Sequence, residues 1–134
     1  MIAFSQGAAL ASTLLVQKFR EQPTEQHLNP IFKCAIFISG GTPVDPDILA
    51  KGELHVLSAE VDGELIPIPT AHIWGRNDTL YPGSSAELSK LCKEATRTEF
   101  IHDGGHEVPA SGTDDLRSTV QAIRRTVHKA LLAQ

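Results

Sequence analysis

The sequence predicts an α/β fold built on a parallel sheet. Two observations carry this. Four short apolar runs, at residues 1–4, 32–39, 69–74 and 97–101, alternate with helix-like stretches at 7–21, 84–95 and 114–132. The second run, Cys34-Ala35-Ile36-Phe37-Ile38, is also continuous rather than alternating. Strands alternating with helices in chain order give a parallel sheet, and continuous apolar runs suit strands covered on both faces.

The helical stretches are read from spacing. In the first, Leu10, Leu14 and Leu15 share a face, with Phe19 a turn later. In the last, Leu116, Val120, Ile123, Val127 and Leu131 recur at helical spacing. Thr113-Asp114-Asp115 puts acids at the positive end of that helix. Residues 21–30 are polar, contain two prolines and read as a loop. Residues 40–67 form a long connection with Gly40-Gly41, Asp45-Pro46 and Asp62-Gly63 turn signals, and 47–60 is expected to hold a short helix. A long insertion between two strands is expected to cover a binding cleft. There is no internal repeat, and one domain over 1–134 accounts for the length.

Bulk composition narrows the function. The chain is 41% hydrophobic and 21% charged, a soluble globular balance. A net charge of −4 and a pI of about 5.8 make no electrostatic case for nucleic acid or an anionic membrane. The apolar opening has no positive charge before Lys18 and is broken by Ser5, Gln6, Ser12 and Thr13. That fits neither a signal peptide nor a membrane span, so a cytoplasmic protein is expected. Cys34 and Cys92 lie in no CxxC or Cys/His cluster, so a zinc site is not expected and two buried free thiols are.

Three segments carry chemistry. Ala3-Phe4-Ser5-Gln6-Gly7 follows an apolar strand and opens a helix. This is the arrangement of a nucleophile elbow, G-x-S-x-G, with Ala for the first Gly. Crowding two positions either side of the serine is the expected reason for the small residues. The Gln6 backbone N–H, at the helix N-terminus, is the expected oxyanion donor. The bland alternative makes Ser5 an ordinary helix cap.

His106 is the expected base. It lies just after the fourth strand, behind Gly104-Gly105 and before Pro109, and glycines let a loop bring the ring close to other backbone. His27, His55 and His128 lie in polar, loop or helical context, His72 reads as a core histidine, and His102 is the rival. Asp78, just past the third strand in Trp74-Gly75-Arg76-Asn77-Asp78, is the expected orienting acid. Asp62 and Asp103 are its rivals. The chain order Ser, Asp, His is that of an α/β-hydrolase.

With these segments in hand, the chain resembles the FSH serine hydrolases, a fungal-type family related to the ovarian-cancer-associated gene 2 protein. The resemblance lies in AFSQGAALA at 3–11, IPTAHIWGRND at 68–78 and GGHEVP at 104–109, with FISGG at 37–41. It implies an α/β-hydrolase fold. It further implies hydrolysis of small-molecule acyl esters or thioesters, including chains on a polyketide synthase acyl carrier, with no metal or organic cofactor. Family members carry further strands and a second oxyanion donor ahead of the elbow. By that standard an N-terminally truncated domain is expected, a weak catalyst that self-associates through its open edge. The alternative class is a non-catalytic pseudo-hydrolase serving as a binding module.

Overall fold

The computed structural model describes residues 1–133. Gln134, the last residue of the single domain expected from the sequence, lies outside them. Four strands, β1 (Ile2–Phe4), β2 (Ala35–Ile38), β3 (Thr70–Gly75) and β4 (Thr98–His102), centre on the four apolar runs. They form one sheet in the order β1-β2-β3-β4, with every neighbouring pair parallel. Ala3 pairs with Phe37, Phe37 with His72 and His72 with Glu99. This register brings the carboxyl ends of all four strands to one edge.

Alternation along β2 divides the core. Ala35 and Phe37 face one layer, with Leu15, Val16 and Phe19 of α1 (Gln6–Glu21) and Leu88 of α5 (Ser84–Lys90). Ile36 and Ile38 face the other, with Ala71, Ile73, Phe100 and Ile123. Ile123 belongs to α6 (Asp114–Leu132), whose bounds match the expected helix. Thr113 caps α6 by accepting from the Leu116 N–H at 3.1 Å.

The buried helix faces differ from those expected. In α1, Leu15 is buried but Leu10 is 72% exposed, and the inward positions are Ala8, Ser12, Thr13, Val16 and Phe19. In α6 the inward positions are Thr119, Ala122, Thr126 and Ala130, while Val120, Val127 and Leu131 are exposed. Small residues on the inner face let a helix lie close to a flat sheet. Thr126 Oγ1 reaches the Thr70 carbonyl at 3.3 Å, a contact that larger aliphatics would prevent.

Local structure also departs from the loop assignments. Residues 21–30 contain α2 (Pro23–Leu28), started by proline at a first-turn position where its missing N–H costs nothing. The expected helix within 47–60 is replaced by two single turns, α3 (Pro46–Leu49) and α4 (Ala59–Asp62). The Asp45 carboxylate caps α3 through the Asp47 and Ile48 N–H groups. α5 ends at Lys90, short of residue 95, because the chain then pairs with Ile66: Ile66 N–H donates to the Leu91 carbonyl, and Lys93 N–H to that of Ile66. Cys92 is buried, and burial pushes its thiol up to about 12. Cys34 is also free but only half-buried, contrary to expectation. No helix among the described residues is long and apolar enough to cross a membrane.

His72 is the core histidine that its place in a strand predicts. Its Nε2 lies 2.9 Å from Thr70 Oγ1, and burial, helped by the Arg97 charge, pushes it down from 6.5 to about 3. Between those values the unfolded chain binds a proton that the folded chain refuses, so stability falls as pH falls. Going from pH 7 to pH 5 should cost about 2 kcal/mol from this group. Urea unfolding of the native chain and His72→Gln at both pH values checks it, the variant showing the smaller pH dependence.

Candidate active site

Ser5 lies between β1 and α1 with φ 54° and ψ −124°, one of two non-glycine residues among those described with positive φ. Such a conformation costs of order 1–3 kcal/mol and persists only where the surroundings fix it. Here they do. Ser5 N–H donates to the Ile38 carbonyl at 3.0 Å, and the Ser5 carbonyl accepts from Ala8 and Gly41 N–H, each at 3.0 Å. The Ser5 hydroxyl makes no cap bond to α1. It lies 2.7 Å from His106 Nε2 instead. The helix-cap reading of Ser5 therefore fails.

His106 Nδ1 lies 2.7 Å from Asp78 Oδ2, so the three side chains form one hydrogen-bonded row. Burial alone would raise the Asp78 carboxyl. The His106 hydrogen bond and the Leu80 and Tyr81 N–H groups outweigh it and hold the carboxyl below the usual carboxylate range. An ionised Asp78 fixes the imidazole with its proton on Nδ1, which leaves Nε2 free to accept from Ser5. Gln6 is the first residue of α1, so its N–H has no acceptor within the helix. Among the described residues no three His, Cys, Asp or Glu side chains converge to hold a metal ion.

The family described as Serine hydrolase (FSH1) matches residues 1–116. The chain belongs to this family. Its relatives include esterase FPY3 of Fusarium mangiferae, 33% identical over 100% of this chain and 59% of its own length. Esterase alnB of Emericella nidulans is 37% identical over 65% of this chain and 31% of its own. Esterase FUS5 of Gibberella moniliformis is 27% identical over 94% of this chain and 47% of its own. A carboxylesterase of Bacillus cereus superposes with a TM-score of 0.47 at 19% identity, covering 92% of this chain and 48% of the other. The chain thus spans about half the length of the curated relatives it matches.

The rival residues are occupied elsewhere in this member of the family. Asp103 pairs with Arg76 Nε at 2.7 Å, largely in solvent. Asp62 accepts from the Ser58 N–H at 2.9 Å. His102 is buried, and its Nδ1 accepts from the Gly104 N–H at 3.1 Å. Two aromatic neighbours of His106 escaped the sequence reading: Phe4, with ring centroids 5.2 Å apart, and Tyr81, edge-on at 5.7 Å. Phe4 was visible inside the elbow segment. Tyr81 gave no signal, because only the turn after Asp78 brings it back over the imidazole.

The glycines divide unexpectedly. A Cβ on Gly75 would fall on the Gly104 and Gly105 carbonyl oxygens. Gly75, at the end of β3, is therefore what lets the His106 loop close over the sheet. A Cβ on Gly7 would meet nothing within 4 Å, so the crowding expected there is not found. Gly75→Ala should then lose about 1–3 kcal/mol through overpacking. Gly7→Ala should gain about 0.5–1 kcal/mol by removing a helical glycine. Urea midpoints of the two variants, measured side by side, must shift in opposite directions.

Proposed function

We propose that this chain carries the acyl-transfer centre of a serine esterase, with Ser5 as nucleophile, His106 as base and then acid, and Asp78 as orienting carboxylate. The observation that supports this best is the row Ser5–His106–Asp78, with both hydrogen bonds at 2.7 Å. As Ser5 Oγ attacks the ester carbonyl, its proton passes to His106 Nε2. The carbonyl π electrons move to oxygen, and the Gln6 N–H stabilises that oxyanion. Collapse expels the alkoxide, which takes the proton from Nε2 and leaves an acyl-Ser5 ester. Water repeats the cycle, giving up a proton to His106, and releases the acid and free Ser5. Asp78 stays ionised throughout and stabilises the transient imidazolium.

Esters are the substrates that the names of the relatives support. Thioesters, a polyketide synthase acyl carrier, a role in secondary metabolism and a cytoplasmic setting are finer proposals, resting on the resemblance of the three sequence segments. A carrier-bound acyl thioester offered beside the matching oxygen ester tests the first two. The β1 edge, where Ile2 is 70% exposed, is the proposed route of self-association.

A fluorophosphonate probe tests the centre. The native chain should label at one site, and Ser5→Ala should abolish labelling with unchanged circular dichroism. Asp78→Asn should slow ester turnover by about 10⁴, whereas Asp103→Asn should leave it within twofold or so. A folded chain that never labels would favour the binding-module alternative.

A further inference from the structure

A cleft of about 240 Å³ opens beside the triad, between α1, the segment after β2 and the turn after Asp78. Ala9, Thr42 and Val56 line it together with Gln6, the residue after the nucleophile, and Tyr81, the neighbour of His106. The Gln6 side-chain Nε2 donates to the Tyr81 hydroxyl at 3.1 Å, tying the residue after the nucleophile to the turn after the acid. We propose that this cleft is the acyl subsite, that the Gln6–Tyr81 bridge sets its width, and that it takes short uncharged acyl chains. The assignment rests on the esterase reading above and goes on to name the acyl class.

Position decides acyl group over leaving group. With the carbonyl oxygen at the Gln6 N–H, the acyl chain and the leaving oxygen share the two remaining positions on the carbonyl carbon. The leaving oxygen must lie at His106 Nε2 to receive its proton. The cleft is lined by Gln6 and not by His106 or Asp78. Gly41 ties the cleft to the nucleophile: it lines the cleft, and its N–H donates to the Ser5 carbonyl at 3.0 Å.

Chemistry decides the class of chain. None of the lining side chains is charged at neutral pH, and an unpaired carboxylate or ammonium placed there would lose hydration without a partner. Size sets the length. At about 30 Å³ for each water-sized group, the cleft's 240 Å³ takes roughly the first eight heavy atoms of a chain, and a longer one would run past Thr42 and Val56 into a groove lined by Glu60, Glu87 and Lys90, where an apolar tail meets charge. A second cavity, of about 310 Å³, lies at the opposite edge of the sheet beside Phe19, Lys33 and Pro67, remote from the triad.

Two measurements test this, the first of them independent of turnover. The Ser5→Ala chain, labelled with ¹⁵N, is titrated with methyl butyrate and with monomethyl succinate. Methyl butyrate should shift the Ala9, Thr42 and Val56 amides, monomethyl succinate should not, and Val56→Phe should abolish the response. Shifts confined to Phe19, Lys33 and their neighbours, or equal responses to the charged ester, overturn the subsite. In the second, p-nitrophenyl butyrate should exceed the decanoate in kcat/KM by about tenfold or more. Tyr81→Phe, which keeps the ring and removes the bridge, should narrow that ratio, and an unchanged ratio overturns the role of the bridge. Cleft shifts in a chain that neither labels nor turns over would uphold the cleft as a site for short uncharged chains and sink the esterase reading, and with it the name acyl subsite. Turnover with shifts elsewhere would do the reverse.

Discussion

Everything at the site depends on the turn between β1 and α1. A strand running into a helix within one residue forces that residue off the ordinary backbone map, and Ser5 takes the strain at φ 54°. The strain is held by hydrogen bonds from three places: the end of β2 through the Ile38 carbonyl, the segment beyond it through Gly41, and the first turn of α1 through Ala8. The sheet and the helix thereby fix the serine before any catalytic partner is considered. The conformation also turns the hydroxyl away from capping α1, which leaves it for His106.

The second constraint is the approach of the His106 loop to the end of β3. Arg76 and Asn77 N–H groups bind the His102 and Gly104 carbonyls at 2.9 and 3.1 Å. The loop is stitched to the very segment that presents Asp78. Acid and base are therefore positioned relative to each other by backbone contacts, and their side-chain bond completes an alignment already made. Phe4 and Tyr81 then pack near the imidazole, with ring centroids 5.2 and 5.7 Å from it.

Much of this was legible in the sequence. The apolar run of β2 was the plainest signal, because β2 and β3 are buried almost throughout and such strands have few polar positions to blur them, whereas β1 and β4, at the two edges of the sheet, alternate in burial. Ser5, Asp78 and His106 stood out because each follows a strand end next to small or turn-forming residues. What stayed hidden depends on packing partners. Leu10 and Val127 looked like core by periodicity, but Ala8, Thr119 and Thr126 lie inward, since a sheet rewards close approach over side-chain size. Tyr81 is set by the path of a turn, and α5 is cut short by a pairing between Ile66 and Cys92, which are distant in sequence. None of these leaves a local pattern.

The sheet order β1-β2-β3-β4 has a consequence for assembly of the molecule. Each strand pairs with the one that comes next along the chain, so every ladder closes a loop of modest length and none waits on a remote segment. The hydrogen bond between Ser5 and His106 is of another kind, joining residues 101 positions apart. In chain order the serine comes directly after β1, and the histidine comes after β4. During synthesis the strained turn can form against β2 while the base is still absent, so the nucleophile is shaped early and armed only when β4 docks and its loop folds back.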